Sequence, residues 1–176
     1  NMNGIVCVGT LVLDVFLKPI VSLPEAEKLE LVDNLENHAG GCANNTAVGL
    51  SRLGQPVQVV GKEGEDSFGD YVIHSLRGEG ASVEGIGRSS KHATSTTIVL
   101  VDPSGQRGLI HYIGANADLG PDDIDINSAM GTGLFHVAGA NILPGLDGEP
   151  MPHILRRAKE SGFLTCVDTA WNPGID

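Results

Sequence analysis

Four short apolar runs punctuate the chain: Ile5–Val8, Val57–Val60, Leu134–Val137 and Leu164–Val167. Each is four residues long, and a continuous apolar run of that length predicts a strand buried on both faces, as in a parallel sheet. Three stretches between them carry helical spacing. Ala43, Ala47 and Leu50 recur at i, i+4 and i+7, and Gly54 follows as a stop. Phe68, Val72 and Leu76 repeat at i+4, with Asp66 placed to cap the helix and Gly78 to end it. Ile154, Leu155 and Ala158 form a third face, with Pro150 and Pro152 at its start and Gly162 after it. Strands alternating with amphipathic helices predict βαβ units around a parallel sheet.

Two stretches break that rhythm. Thr96–Val101 and Arg107–Tyr112 flank Asp102-Pro103-Ser104-Gly105, a strong turn signal, and read as an antiparallel hairpin. Asp14–Ile20 and Leu29–Leu35 are also strand-like. Together they predict four antiparallel strands inserted at two places, a lid beside the main sheet spanning approximately residues 14–37 and 94–113. The core strand at Leu164–Val167 is followed only by a loop to Asp176. A parallel sheet ending on an uncovered strand exposes apolar surface, so further sequence is expected beyond Asp176.

Composition narrows the function. The formal net charge is −11, which argues against nucleic acid or an anionic membrane as partner, since both need clustered Lys and Arg. Cys7, Cys42 and Cys166 are odd in number, with no CxxC, and suggest a reducing, cytoplasmic setting. No run approaches the length of a membrane span, and no basic region with an apolar stretch opens the chain as a signal peptide would. His38, His74, His92, His111, His136 and His153 show no metal-ligand spacing, so no metal site is expected, and His111 and His136 read as packing or lid residues. Asp122, Asp123 and Asp125 lack the Gly and terminal Glu of a calcium loop; Pro121-Asp-Asp reads as a helix start.

Gly40-Gly41-Cys42-Ala43-Asn44-Asn45-Thr46-Ala47 is the most informative segment. Two glycines let the backbone approach a ligand closely, and the helix that follows is expected to turn free N–H groups toward it. Asn45 in the first helical turn both donates and accepts, which suits a polyhydroxylated ligand. Read alone, the segment is equally a Gly-Gly turn with a capping asparagine.

The wider spacing extends the pattern. Gly40-Gly41-x-Ala43-x-Asn45-x-Ala47, then Gly54, then Gly64, resembles the first signature of the ribokinase, or PfkB carbohydrate kinase, family. Gly64-Glu65-Asp66-Ser67-Phe68-Gly69 is similar to the family's G-x-D-x-F-G stretch. Gly9 with Asp14 is similar to its first strand and sugar-binding aspartate, and Gly114-Ala115-Asn116-Ala117 with Leu119 to the segment after the lid hairpin. The resemblance covers nearly the whole chain in order.

The resemblance implies a Rossmann-like three-layer α/β sandwich with a small β-sheet lid, of which residues 1–176 are the N-terminal part. It implies transfer of the γ-phosphate of ATP, with Mg²⁺, to a hydroxyl of a sugar or sugar-like alcohol. A nucleoside kinase of the same family, or a non-catalytic sugar- or nucleotide-binding protein of this fold, are the alternatives. A homodimer through the lid is a further implication. Asp14, Gly40, Gly41 and Asn45 match positions expected around the sugar, with Thr97 (or Thr96) and Tyr112 lining it from the lid; Asn116 reads as holding a turn. Cys42 falls at a variable position of the motif. Gly139 stands where ribokinases proper carry a glutamate, which argues against ribose. Asp168 is followed by Ala170 and Asn172 rather than the fructokinase-like D-x-N-x-R, which argues against fructose. The family's catalytic G-A-G-D is absent from these residues, as is a Walker-type GxxxxGK[ST]. No catalytic residue is therefore expected in this chain, and the base is expected beyond Asp176.

Overall fold

A computed structural model of the chain describes residues 4–127 and 133–174. The main sheet is parallel and five-stranded, built from β1 (Ile5–Gly9), β4 (Val57–Gly64), β5 (Ser82–Ser89), β8 (Leu134–Ala140) and β9 (Leu164–Thr169). Their spatial order is β5-β4-β1-β8-β9. All four apolar runs form strands, and β1, β4 and β8 are buried as expected, whereas β9 is largely exposed, with Leu164 and Val167 open to solvent.

Strand alternation sorts the side chains of β1 onto two faces. Ile5 and Cys7 pack with Ala43, Ala47, Val72 and Leu76, from α1 (Cys42–Arg52) and α2 (Ser67–Gly78). Val6 and Val8 pack on the other face with Phe135, Ile154 and Ala158, the last two from α3 (Pro150–Glu160). Two cores on opposite faces of one sheet make three layers. The helix signals also hold: Asp66 caps α2 by accepting from Gly69 N at 2.9 Å.

The lid consists of β2 (Val12–Lys18), β3 (Asn34–Gly40), β6 (Thr96–Val101) and β7 (Arg107–Tyr112), in the order β3-β2-β6-β7. Three points depart from the sequence reading. The lid is mixed rather than antiparallel: β2–β3 and β6–β7 are antiparallel, but β2 and β6 run parallel. Each of these two strands leaves the main sheet in the same direction, so they meet side by side. The second lid strand is Asn34–Gly40, not Leu29–Leu35. Leu29 and Leu31 are 83% and 82% exposed and pack against nothing that would select them, whereas the polar Asn34–Gly40 is held by the backbone ladder of β2. Strand β5 was not foreseen, because Gly85 and Gly87 break its apolar pattern. Gly85 lies against Val59 and Val60 of β4, where a larger residue would collide.

Candidate functional site

The main sheet reverses its winding at β1, which pairs with β4 on one side and β8 on the other. Ligands of open α/β sheets bind beyond the carboxyl ends of the strands at such a switch point. Here β1 ends at Gly9 and turns through Thr10 and Leu11 into β2, which carries Asp14.

That turn is fixed from two sides. Asn116, fully buried, accepts from Leu11 N at 3.1 Å and donates to Leu11 O at 2.9 Å. Thr10 faces the start of α1: its hydroxyl accepts from Cys42 N at 2.9 Å and its carbonyl from Ala43 N at 3.2 Å. The first two helical N–H groups are therefore spent inside the protein. The expectation that they face a ligand is corrected, because the β1–β2 turn reaches the helix end first. Asn116 does hold a turn, but one 105 residues away in sequence.

Gly41 precedes α1 with φ 93°, a conformation that disfavours any side chain, and a Cβ there would also press on the backbone of Thr10 and Leu11. Gly40 ends β3 against Asp14, and a Cβ on Gly40 would overlap the Asp14 carboxylate. Gly40 and Asp14 are thus direct neighbours. Gly40 leaves room for the Asp14 carboxylate, and Gly41 permits the tight entry into α1.

Strand register places a polar row across the lid. Asp14 pairs with His38 on β3 and with Thr97 on β6, and Thr97 pairs with His111 on β7. Residues in register share a face, so His38, Asp14, Thr97 and His111 stand side by side. Thr97 Oγ1 and His111 Nδ1 lie 3.0 Å apart. Burial raises the Asp14 pKa, while a hydrogen bond from Thr97 and the nearby His111 and His38 pull it back. His111 is shifted down by desolvation, against the attraction of Asp14. On the far side, His38 Nε2 meets Glu36 Oε2 at 3.2 Å and its ring stands perpendicular to that of Phe16, with centroids 5.3 Å apart.

Tyr112 does not join this row. It pairs with Thr96, one position along from the Thr97–His111 pair, so it projects from the opposite lid face. His111 occupies the place on β7 that Tyr112 was expected to fill. Its signal in the sequence was the spacing of fourteen residues from Thr97, which matters only once the hairpin register is known. Asn45 sits in the first turn of α1 with an exposed side chain whose Oδ1 takes Asn44 Nδ2 at 3.2 Å. It lines an open groove that also holds His38, the register partner of Asp14. Among the described residues, no cluster of three or more His, Cys, Asp or Glu side chains is arranged to hold a metal ion.

Comparison with known proteins bears on this arrangement. The family described as pfkB family carbohydrate kinase matches residues 2–174. The chain is 30% identical over 131 residues to the probable fructokinase-4 of Arabidopsis thaliana, covering 73% of this chain and 40% of that protein. It is 30% identical over 138 residues to the 5-dehydro-2-deoxygluconokinase of Clostridium perfringens, covering 77% and 41%. The structure of a fructokinase with bound ATP from Xylella fastidiosa superposes with a TM-score of 0.81 at 28% identity, covering 99% of this chain and 54% of that one. The chain thus spans about half the length or less of the relatives it matches. A parallel sheet, an inserted lid, the Gly40-Gly41 entry to α1 and a family match over almost every residue agree: the chain belongs to the pfkB family of carbohydrate kinases.

Proposed function

We propose that the chain forms the acceptor-binding half of an ATP-dependent carbohydrate kinase that phosphorylates a hydroxyl of a sugar or sugar-like alcohol. The observation that carries this reading is the Asp14 carboxylate, wedged against Gly40 and set in a polar row beneath the lid at the switch point of the sheet. An ionised carboxylate only accepts, so it suits two donating sugar hydroxyls. Asn45 at the start of α1 adds a group that both donates and accepts. Mg²⁺-bound ATP supplies the phosphoryl group, and the described residues supply no ligand set for the metal. Their task is to bind and orient the acceptor so that one hydroxyl faces the donor, which is where most of the rate gain in phosphoryl transfer arises.

A cytoplasmic homodimer paired through the lid belongs to the same proposal. Its support is the apolar outer lid face, where Leu35, Ile110 and Tyr112 are 59%, 54% and 48% exposed.

The test is acceptor-dependent ADP release by full-length protein given ATP, Mg²⁺ and a panel of sugars, sugar acids and nucleosides. Release with a sugar supports the reading. Release only with nucleosides moves it to a nucleoside kinase, and binding without release to a non-catalytic binder. Asp14→Ala is expected to raise the acceptor KM about a hundredfold, as for loss of a charged hydrogen-bond partner, with the KM for ATP unchanged.

A further inference from the structure

The chain enters β6 of the lid through Ala93-Thr94-Ser95 and returns from β7 into Gly114-Ala115, and the two crossings meet at one buried joint. Ala115 N donates to Ala93 O at 2.9 Å, and Ser95 Oγ donates to Tyr112 O at 3.1 Å. Leu13, next to Asp14, donates its N–H to Ser95 O at 2.9 Å. Asp66 ties this joint to the start of α2: Thr94 N donates to Asp66 Oδ2 at 2.8 Å, and Thr94 Oγ1 donates to Asp66 Oδ1 at 2.7 Å.

Glu63 lies against the joint from the end of β4. It is fully buried, with no well-formed hydrogen bond to either carboxyl oxygen. Its Cβ and Thr94 Oγ1 both border Gly69 in the first turn of α2. The charged groups around it are Asp66, from the loop before α2, and Arg88, its register partner on β5. Arg88 is itself held by Asp66 O at 3.4 Å and by Asp70 Oδ1 of α2 at 2.8 Å. The β1–β2 turn brings only the apolar Leu11 against the same strand, at Gly61. A carboxyl buried in this way is far less costly neutral than ionised, and burial pushes its pKa up to about 8.

Thr94 decides what a charge on Glu63 does. Its hydroxyl has one proton, and that proton goes to Asp66. A neutral Glu63 leaves it there. An ionised Glu63 competes for the same proton and repels the Asp66 carboxylate.

We propose that Glu63 is a positioning residue for the acceptor site, whose proton keeps the Thr94–Asp66 latch closed and thereby holds the lid strands that carry Asp14 and Thr97. This rests on the kinase reading above and adds a pH dependence to it. The acceptor binds tightly while Glu63 is protonated and more weakly as pH rises through about 8. The path is short: Thr94 is followed by Ser95, Ser95 holds Leu13, and Asp14 and Thr97 are register partners just beyond.

Two measurements on full-length protein test this. Amide hydrogen exchange reads the latch without catalysis and needs no variant. The protection factor of the Thr94 N–H is expected to fall about tenfold in the wild type as pH rises through about 8. It should stay level in Glu63→Gln, which mimics the protonated form. Protection that holds in the wild type overturns the proposal, whatever the protein phosphorylates.

The second measurement follows KM for whichever member of the sugar panel is turned over, across the same pH range. The acceptor KM should rise about tenfold in the wild type. Glu63→Gln should keep the low value throughout, and Thr94→Val, which lacks the hydroxyl of the latch, should show the high value at every pH. If wild type and Glu63→Gln rise in parallel, Glu63 has no positioning role and the kinase reading stands. If no member of the panel releases ADP, the kinase reading fails and the proposal fails with it.

Discussion

Asn116 clamps Leu11 by both polar atoms of its side chain, accepting from the backbone N–H at 3.1 Å and donating to the carbonyl at 2.9 Å. Leu11 lies three residues before Asp14, so a segment that follows the lid hairpin fixes the turn that leads to the Asp14 carboxylate. The clamp is complete only with an amide, since one atom must donate and the other accept.

Asn116→Asp is therefore expected to be worse than its size suggests. It replaces the donor facing Leu11 O with an acceptor inside a fully buried site. The expected loss is about 2–4 kcal/mol of unfolding free energy, read as a lower urea midpoint with an unchanged slope. Asn116→Ala should lose about 1–3 kcal/mol. A midpoint that does not move in either variant would show that the clamp carries no stability.

Gly40→Ala tests the contact with Asp14. The added methyl group has no room beside the carboxylate, so either Asp14 shifts or the end of β3 does. A displacement of this kind is expected to lower kcat/KM for the acceptor by about 10²-fold, with little change in the KM for ATP. Equal losses toward both substrates would point instead to a general disturbance of the fold.

Glu63 makes stability depend on pH. It is fully buried, and neither carboxyl oxygen has a well-formed hydrogen bond. Burial pushes its pKa from 4.5 to about 8, with Thr94 and Arg88 pulling it down and the charge of Asp66 pushing it further up. The folded protein holds this proton over a pH range in which the unfolded chain has released it. The stabilisation is therefore complete below about pH 4.5 and is lost as pH rises through about 8. The total is of order 4 kcal/mol. Glu63→Gln should remove this slope, leaving the variant more stable than the wild type at pH 8.5 but not at pH 5. Parallel pH profiles for the two proteins would contradict it.

Asp66 works in the opposite sense. Partial desolvation raises its pKa, but donors outweigh this: the backbone of Gly69, the hydroxyl and backbone of Thr94, and the backbone of Phe68 hold it below its ordinary 3.8. Its contribution is present above that value and is lost as pH falls through the depressed one. Asp66→Ala removes the cap of α2 and the anchor of Thr94 together. A loss of about 1–2 kcal/mol is expected at neutral pH, shrinking at strongly acid pH where the wild type is also protonated. A loss that stays constant into acid would assign the effect to packing rather than charge.

The sequence by itself determined four of the five strands of the main sheet and its helices. The apolar runs at β1, β4 and β8 are buried, and for such strands burial is written directly into residue type. The caps and stops of α1 and α2 are equally local, because Asp66 and Gly54 act within one turn of their own helix. The residues Asp14, Gly40, Gly41 and Asn45 were legible as a group through the family resemblance. What they do was not. Whether the glycines serve a phosphate, a sugar or the protein itself depends on Thr10 and Asp14 arriving beside them, and both are brought there by the β1–β2 turn.

Tertiary structure decided the lid. Its strands are half exposed and partly polar, so their hydrophobic pattern is weak and the ladder sets their limits; hence β3 falls at Asn34–Gly40, and in the main sheet the ladder likewise makes the glycine-broken β5 a strand. A strand register shifts every side chain to the other face when it moves by one residue. That is why Tyr112 and His111, adjacent in sequence, end on opposite sides of the lid, and why only the paired strands could place His111 in the row with Asp14.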